Sequence, residues 1–359
     1  MTGKSVTECV KPCVRDIAAY TLREYDHEIK INQNENPQDV PADIKRGILD
    51  FAMTRSWSRY PPFNPSELRG LLADYSDWTA DGVLVGNGSN EIIQALMEIF
   101  LSPGDALVLP SPTFTVYRLV GTVLGAEVVN VPLKTDYSFD CDALERTFLE
   151  RGRMLVLCSP NNPTGGLYPR ESLERILAAT NRPVIVDEAY FEFSKETAAG
   201  LLSSHDNLVV LRTFSKAFSL AGLRVGYGLM GPELAREANK AKLPYNINFF
   251  TIAAAVKLLR NRSRLEPAVD EIIDERRRMI AEMNGIDGID AYPSRANFIL
   301  FETELDVKKV FEGLLADGLL IRDVSSYPML GRALRVTVST RGDNDRFLGS
   351  LRRVMAERT

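Results

Sequence analysis

The chain has 359 residues, a formal net charge of −5, 45% apolar residues and 25% charged residues. That length is ample for a buried core and predicts two domains, while charges of both signs are interspersed, so no basic run points to nucleic acid. No run of about 18 apolar residues suits a membrane-spanning helix. Met1 to Val10 lacks the apolar stretch of a secretory leader. Cys9, Cys13, Cys141 and Cys158 form no C-x-x-C pair and read as free thiols, which predicts a cytoplasmic protein. His27 and His205 alone supply neither a histidine metal cluster nor a well-placed catalytic triad, so no metal site is expected.

Asp16 to Pro41 is expected to be mostly irregular, because Asn34, Glu35, Asn36 and Pro37 favour turns. Ala42 to Met53 has helical periodicity. Ser58-Arg59-Tyr60-Pro61-Pro62 breaks it, since proline fixes φ and lacks a donor. Glu67 to Tyr75 resumes it. From Val83 the pattern alternates. Short apolar runs at Val83–Val85, Ala106–Leu109, Glu127–Leu133, Met154–Cys158, Val184–Val186, Leu208–Leu211 and Val225–Met230 predict strands. Helices are expected between several of them. One carries Ile92, Leu96, Ile99 and Phe100 on one face, one follows SPTFTVY to Leu124, and one runs from Pro169 to Thr180. Such alternation predicts an α/β fold with a mostly parallel sheet wrapped by helices.

Beyond Asn261 the character changes. Leu265 to Met283 reads as a long charged amphipathic helix. Val307, Val310, Phe311, Leu314 and Leu315 mark a helix face, and Phe347 to Met355 a final helix. Asn297–Phe301, Leu319–Ile321 and Leu334–Val338 read as strands. The expected organisation is an N-terminal arm and entry loop over 1–41, a large domain over 42–260 and a smaller α+β domain over 261–359. There is no internal repeat and no low-complexity segment.

Ligands of such sheets lie beyond the carboxyl ends of the strands, where the polar clusters of this chain fall. Lys216 follows the run Leu208–Leu211, with Thr213 three residues before it and Arg224 eight after. A hydroxyl, an amine and a guanidinium on one turn suit a phosphorylated aldehyde, with the amine forming a Schiff base. Pyridoxal 5′-phosphate makes further demands, and each has a candidate. Asp187, ending a strand, can face a protonated pyridine nitrogen. Tyr190 and Asn162 can donate to the ring oxygen, and Phe114 offers a packing face. Gly88-Ser89-Asn90 opens a helix whose amides favour a phosphate, and Thr213 and Arg224 complete that anion site. Taken singly, each has a structural explanation: an N-cap, a turn, a core aromatic.

The motifs NENP, SRYP, GNGSNE, PNNPTG, VDEAY, TFSKAFSLAGLRVGY, LLIRDVSSYP and LRVTVST together resemble the fold-type I pyridoxal-phosphate aminotransferases. Within them, the histidinol-phosphate aminotransferase branch is the most similar. The resemblance runs from about Asp16 to the last helix. It implies that Lys216 binds the cofactor covalently and moves the proton during transfer. Asp187 pairs with the pyridine nitrogen, Asn162 and Tyr190 with the ring oxygen, and Ser89, Asn90, Thr213 and Arg224 with the phosphate. It implies a homodimer with shared sites, because Tyr60 matches a tyrosine that reaches the other subunit's cofactor phosphate. Arg335 matches the arginine that grips the α-carboxylate of the amino donor. Arg322 and Tyr20 match residues near the distal end of the substrate, and Asn34 lines the entry loop. One substrate, l-histidinol phosphate, carries phosphate where glutamate carries carboxylate, so arginines suit a site that takes both. The activity implied is amino transfer between l-histidinol phosphate and 2-oxoglutarate, in histidine biosynthesis. An aromatic amino-acid aminotransferase or a threonine-phosphate decarboxylase would share the machinery. A non-catalytic cofactor-binding regulator would bring a basic helix-turn-helix, for which the amino terminus is too short.

Overall fold

The computed structural model describes residues 5–19 and 23–357. Seven strands form the main sheet: β1 (Val83–Gly86), β2 (Ala106–Ser111), β3 (Glu127–Pro132), β4 (Met154–Cys158), β5 (Val184–Asp187), β6 (Leu208–Thr213) and β7 (Gly226–Leu229). Their order across the sheet is β1-β7-β6-β5-β4-β2-β3. All neighbours run parallel except β7, which is antiparallel to β1 and β6.

Every residue of β4, β5 and β6 is buried. Their unbroken Val, Leu and Ile runs suit a sheet covered on both faces. The pleat then sorts side chains alternately. Leu155, Leu157, Val184, Val186, Leu208 and Val210 join the larger apolar cluster. Met154, Val156, Ile185, Val209 and Leu211 join the smaller one, against helices Ser89–Phe100 and Thr115–Leu124.

A second sheet, antiparallel throughout, has four strands in the order β10-β11-β9-β8. These are β8 (Ile289–Ala291), β9 (Phe298–Thr303), β10 (Arg322–Asp323) and β11 (Ala333–Thr337). Helices Val307–Ala316 and Arg341–Ala356 accompany it. Leu319–Leu320, expected simply as a strand, pairs in parallel with Ile29–Lys30 instead. This short ladder fastens the otherwise irregular entry segment to the C-terminal unit. It delivers Asn32 to Glu35 to the gap between the two sheets.

Helices Cys141–Arg151, Pro232–Ala241 and Phe249–Arg260 escape the periodicity reading. The first buries only Leu144 and Phe148, and the second only Ala235 and Ala238, so their apolar stripes are thin.

Arg212 and Glu188 form an ion pair at 3.0 Å, each no more than 3% exposed. Arg212 also donates to Thr197 Oγ1 at 2.7 Å and Ser76 Oγ at 3.2 Å, and its guanidinium lies 3.7 Å from the Phe191 ring centroid. Removing one member strands the other charge. Arg212→Met should therefore lose about 3–5 kcal/mol of stability in urea unfolding, with Glu188→Gln/Arg212→Met losing clearly less. A loss under about 1 kcal/mol for the single variant would show that the pair does not brace the sheet.

Candidate active site

The strands β4, β5 and β6 end together, and beyond their ends lies a cavity of about 450 Å³. Lys216, Asp187, Tyr190, Asn162, Phe114, Ser89, Asn90, Thr213, Arg224, Asn34, Arg322 and Arg335 all line it. Twelve of the fourteen residues singled out in the sequence thus share one space.

Asp187 is the last residue of β5 and is 3% exposed. Tyr117 donates to its Oδ2 at 2.7 Å and the Ala189 amide to its Oδ1 at 3.1 Å. Among the described residues no cation lies within ion-pair distance of it. Burial therefore pushes its carboxyl up to about 6 despite these donors. Glu188, one residue on, faces the other side of the sheet and has Arg212. The carboxylate that faces the cavity is the one left to be matched from within it.

Lys216 follows β6 on a loop and is half-buried. Its Nζ donates to the Gln33 carbonyl at 2.9 Å and lies 5.9 Å from the Tyr190 ring centroid. Desolvation, then the positive charge of Arg335, pulls its amine down to about 7, with Glu35 opposing the shift. A lysine so placed is partly neutral near pH 7, as a nucleophile or proton acceptor must be.

The anion end is built from backbone. Helix Ser89–Phe100 begins after Gly88 (φ 74°) with no side-chain cap, so the first-turn amides remain available as donors. Arg224 takes a left-handed conformation, φ 56°, which brings its guanidinium against Gly88. A Cβ on Gly88 would stand 2.7 Å from Arg224 Nη2, and one on Gly226 would stand 2.3 Å from the Ser89 nitrogen. Ser215 Oγ accepts from Arg224 Nη1 at 3.1 Å and lies 3.0 Å from Thr213 Oγ1.

Tyr190 OH accepts from Asn34 Nδ2 at 2.9 Å and from Asn162 Nδ2 at 3.3 Å. Asn162 Oδ1 in turn accepts from Arg335 Nη1 at 2.5 Å, and the Asn32 carbonyl from Arg335 Nη2 at 2.8 Å. Arg322 and Arg335 are opposite partners across β10 and β11, so both leave the sheet on the same side, toward the cavity.

Two candidates stand apart. Tyr60 is 81% exposed, stacks on Tyr245 at 4.5 Å and lines a separate groove of the same chain. Tyr20 lies outside the described residues. Sequence reasoning passed over Asn32, Gln33, Glu35, Ser215 and Tyr327, which also line the cavity. Tyr117 was missed too, although its i,i+3 spacing from Phe114 at a helix start places both on one side.

This donor set fits pyridoxal phosphate. An uncapped helix start and Arg224 suit the phosphate, and the buried Asp187, lacking a cation, suits a protonated ring nitrogen. Lys216, already partly neutral, suits the aldehyde.

The model of the family "Aminotransferase class I and II" matches residues 26–351. A histidinol-phosphate aminotransferase of Thermoanaerobacter sp. (strain X514) is 36% identical over 98% of this chain and 99% of its own. The crystal structure of the histidinol-phosphate aminotransferase from Clostridium acetobutylicum superposes with a TM-score of 0.85. It is 26% identical and covers 92% of this chain and 99% of that one. The enzyme from Sinorhizobium meliloti, solved in complex with pyridoxal-5′-phosphate, has a TM-score of 0.87 at 22% identity, covering 97% and 98%.

Only a neutral amine attacks an aldehyde, so the rate at which added pyridoxal phosphate forms its visible protein-bound band should rise with pH through about 7 and flatten above it. A rate still climbing toward pH 10, as for an ordinary lysine, would show that Lys216 is not the desolvated amine described.

Proposed function

The chain belongs to the class I and II aminotransferase family, which is pyridoxal-phosphate-dependent, and from that premise we propose that it exchanges the amino group between l-histidinol phosphate and 2-oxoglutarate in histidine biosynthesis. The observation that carries this reading is the pair Arg322 and Arg335, side by side on β10 and β11 and opening into the cavity that holds Lys216. Glutamate brings two carboxylates and histidinol phosphate brings a phosphate. Guanidinium groups bind both anions in bidentate fashion, where a neutral wall would reject both. The near full-length similarity to histidinol-phosphate aminotransferases supports the same choice.

In this reading the large domain, 42–260, holds the cofactor and the smaller one, 261–359, grips the substrate. Within the arm over 1–41, Asn32 to Glu35 line the cavity between them. When bound, pyridoxal phosphate supplies an aldehyde that takes up the amino group and a ring that accepts electrons from the α-carbon. Asp187, buried and without a cation, keeps the ring nitrogen protonated. Tyr190 and Asn162 would bind the ring oxygen, Phe114 would pack on the ring, and Ser89, Asn90, Thr213 and Arg224 would hold the phosphate. Arg335 fixes the α-carboxylate of glutamate, Arg322 and Tyr20 serve the distal group, and Asn34 orients Tyr190. Lys216 takes the proton from the substrate α-carbon and returns it during transfer.

We also propose a homodimer in which Tyr60 serves the partner's site. Tyr60 is remote from the cavity of its own chain and belongs to an exposed apolar patch. In that patch Tyr60 and Phe63 both pack on Tyr245, and Trp57 packs on Phe249, which lines the same groove as Tyr60, so the exposed aromatics form a cluster larger than an isolated surface residue needs to be. No helix among the described residues is long and apolar enough to cross a membrane. We propose a cytoplasmic site of action, as for an enzyme of amino-acid biosynthesis.

Adding l-histidinol phosphate alone to the cofactor-loaded protein should convert its visible band to the pyridoxamine form. Conversion by phenylalanine but not by histidinol phosphate would assign it to aromatic amino acids instead, and release of CO₂ would assign decarboxylation. Arg335→Ala should lower kcat/KM roughly 100-fold, the loss of a charge-assisted pair, for glutamate and histidinol phosphate alike. Unchanged kinetics with both would remove Arg335 from the site. Trp57→Asp should shift the protein from dimer to monomer in sedimentation, with loss of activity. A fully active monomer would refute shared sites.

A further inference from the structure

Tyr117 is fully buried on helix Thr115–Leu124, one turn beyond Phe114, and lies behind the residues that line the cavity. Its ring packs edge-on to Phe114 at 5.5 Å. Its hydroxyl donates to Asp187 Oδ2 at 2.7 Å. From the geometry we propose that Tyr117 is a positioning residue: through this hydrogen bond it fixes the orientation and acidity of Asp187, and so sets how firmly Asp187 can hold a protonated ring nitrogen. The inference rests on the reading of Asp187 given above.

The surroundings of the carboxylate leave this role to Tyr117. Asp187 Oδ1 is held by the Ala189 amide, a short-range contact within the turn that follows β5. Oδ2 has the Tyr117 hydroxyl, which comes from a different layer of the fold and ties the carboxylate to the helix carrying Phe114. Cys158, buried on β4 beside both, donates to the Pro160 carbonyl at 3.3 Å and lies against the Tyr117 hydroxyl, and burial raises its thiol well above the usual range, so it stays neutral. Glu188 repels Asp187 but is itself matched by Arg212 on the opposite face. Lys216 and Tyr190 line the cavity on its open side. Burial disfavours the ionised carboxylate, and the Tyr117 bond is the largest influence opposing that. Burial also raises the Tyr117 hydroxyl, so it remains a donor throughout the working range. The Phe114 contact gives the same side chain a second use. It holds in place the aromatic that would pack on the ring whose nitrogen Asp187 meets.

The test uses Tyr117→Phe, which removes one oxygen and keeps the ring. In the cofactor-free protein with ¹³C-labelled aspartate, the Asp187 carboxyl should titrate about one pH unit higher than in the parent, a tenfold shift toward the protonated form. This readout does not depend on the identity of the substrate. In the loaded enzyme kcat should fall about tenfold or more with KM little changed. The same substitution made in an Asp187→Asn background should cost almost nothing further, because the group it acts through has gone. An unmoved Asp187 titration, or an equal loss in both backgrounds, would overturn the proposal and leave Tyr117 as a packing residue. If Tyr117→Phe proves too unstable to isolate, replacing Tyr117 with a ring-fluorinated tyrosine, whose hydroxyl is a stronger donor, should move the Asp187 titration downward. No movement there would equally overturn it.

Discussion

Two neighbouring strands end in adjacent charged or polar pairs, and the pleat decides what each residue can do. β5 ends in Asp187 with Glu188 following, and β6 ends in Arg212-Thr213. Alternation sends Glu188 and Arg212 to one face, where each neutralises the other under cover of Phe191, Thr197 and Ser76. It sends Asp187 and Thr213 to the opposite side, into the cavity. The same two strand ends therefore produce a braced structural ion pair behind the sheet and an unmatched carboxylate in front of it. A buried carboxylate matched only by neutral donors stays partly protonated, unless a cation enters the cavity.

The other groups reach that carboxylate from parts of the chain far apart in sequence. Helix Ser89–Phe100 follows β1 at the side of the sheet, while Arg322 and Arg335 come from the second sheet. The entry segment joins them. Its Asn32 and Gln33 carbonyls accept from Arg335 and Lys216, Asn34 Nδ2 donates to Tyr190, and Thr337 Oγ1 accepts from the Asn34 amide. Three residues without regular structure thus contact the amine, the phenol and an arginine together. They can do so because the Ile29–Lys30 ladder to Leu319–Leu320 anchors one end. Asn34 also accepts a left-handed conformation, φ 57°, at modest cost for an asparagine.

The sheet was legible because buried parallel strands read as short unbroken apolar runs, and each of the seven expected runs overlaps its strand, four of which continue one or two residues further. The cavity residues were legible where chemistry narrows the choice. A lysine between a threonine and an arginine, or an aspartate closing an apolar run, leaves few uses. The entry segment was harder. Gln33 and Asn32 contribute backbone carbonyls, which any residue carries, so nothing in their side chains announces the contact. Glu35 looked like part of a turn, and only the fold brings it and its ion-pair partner Lys30 beside the cavity. Tyr117 was hidden for the opposite reason: a tyrosine on a helix facing a sheet is ordinarily core, and its hydroxyl matters only through Asp187, seventy positions away. Tyr60 shows another limit. A residue expected to serve a second subunit need not approach the cavity of its own chain.

The charges around the cavity narrow the choice of substrate. Four cations line it, Lys216, Arg224, Arg322 and Arg335, against two carboxylates, Asp187 and Glu35. Glu35 is held by Lys30 at 2.7 Å, which removes it from the balance. Arg224 lies at the helix start, where a cofactor phosphate would neutralise it. Arg322 and Arg335 lie together on the second sheet, where Asn162 Oδ1 and the Asn32 carbonyl accept from Arg335. Two guanidinium groups on one face repel each other, and partial burial strengthens the repulsion. An anionic group received between them, a carboxylate of glutamate or the phosphate of l-histidinol phosphate, relieves that repulsion. The placement of the two arginines on paired strands thus suits a substrate that offers a carboxylate or a phosphate, before any contact to the rest of the substrate is considered.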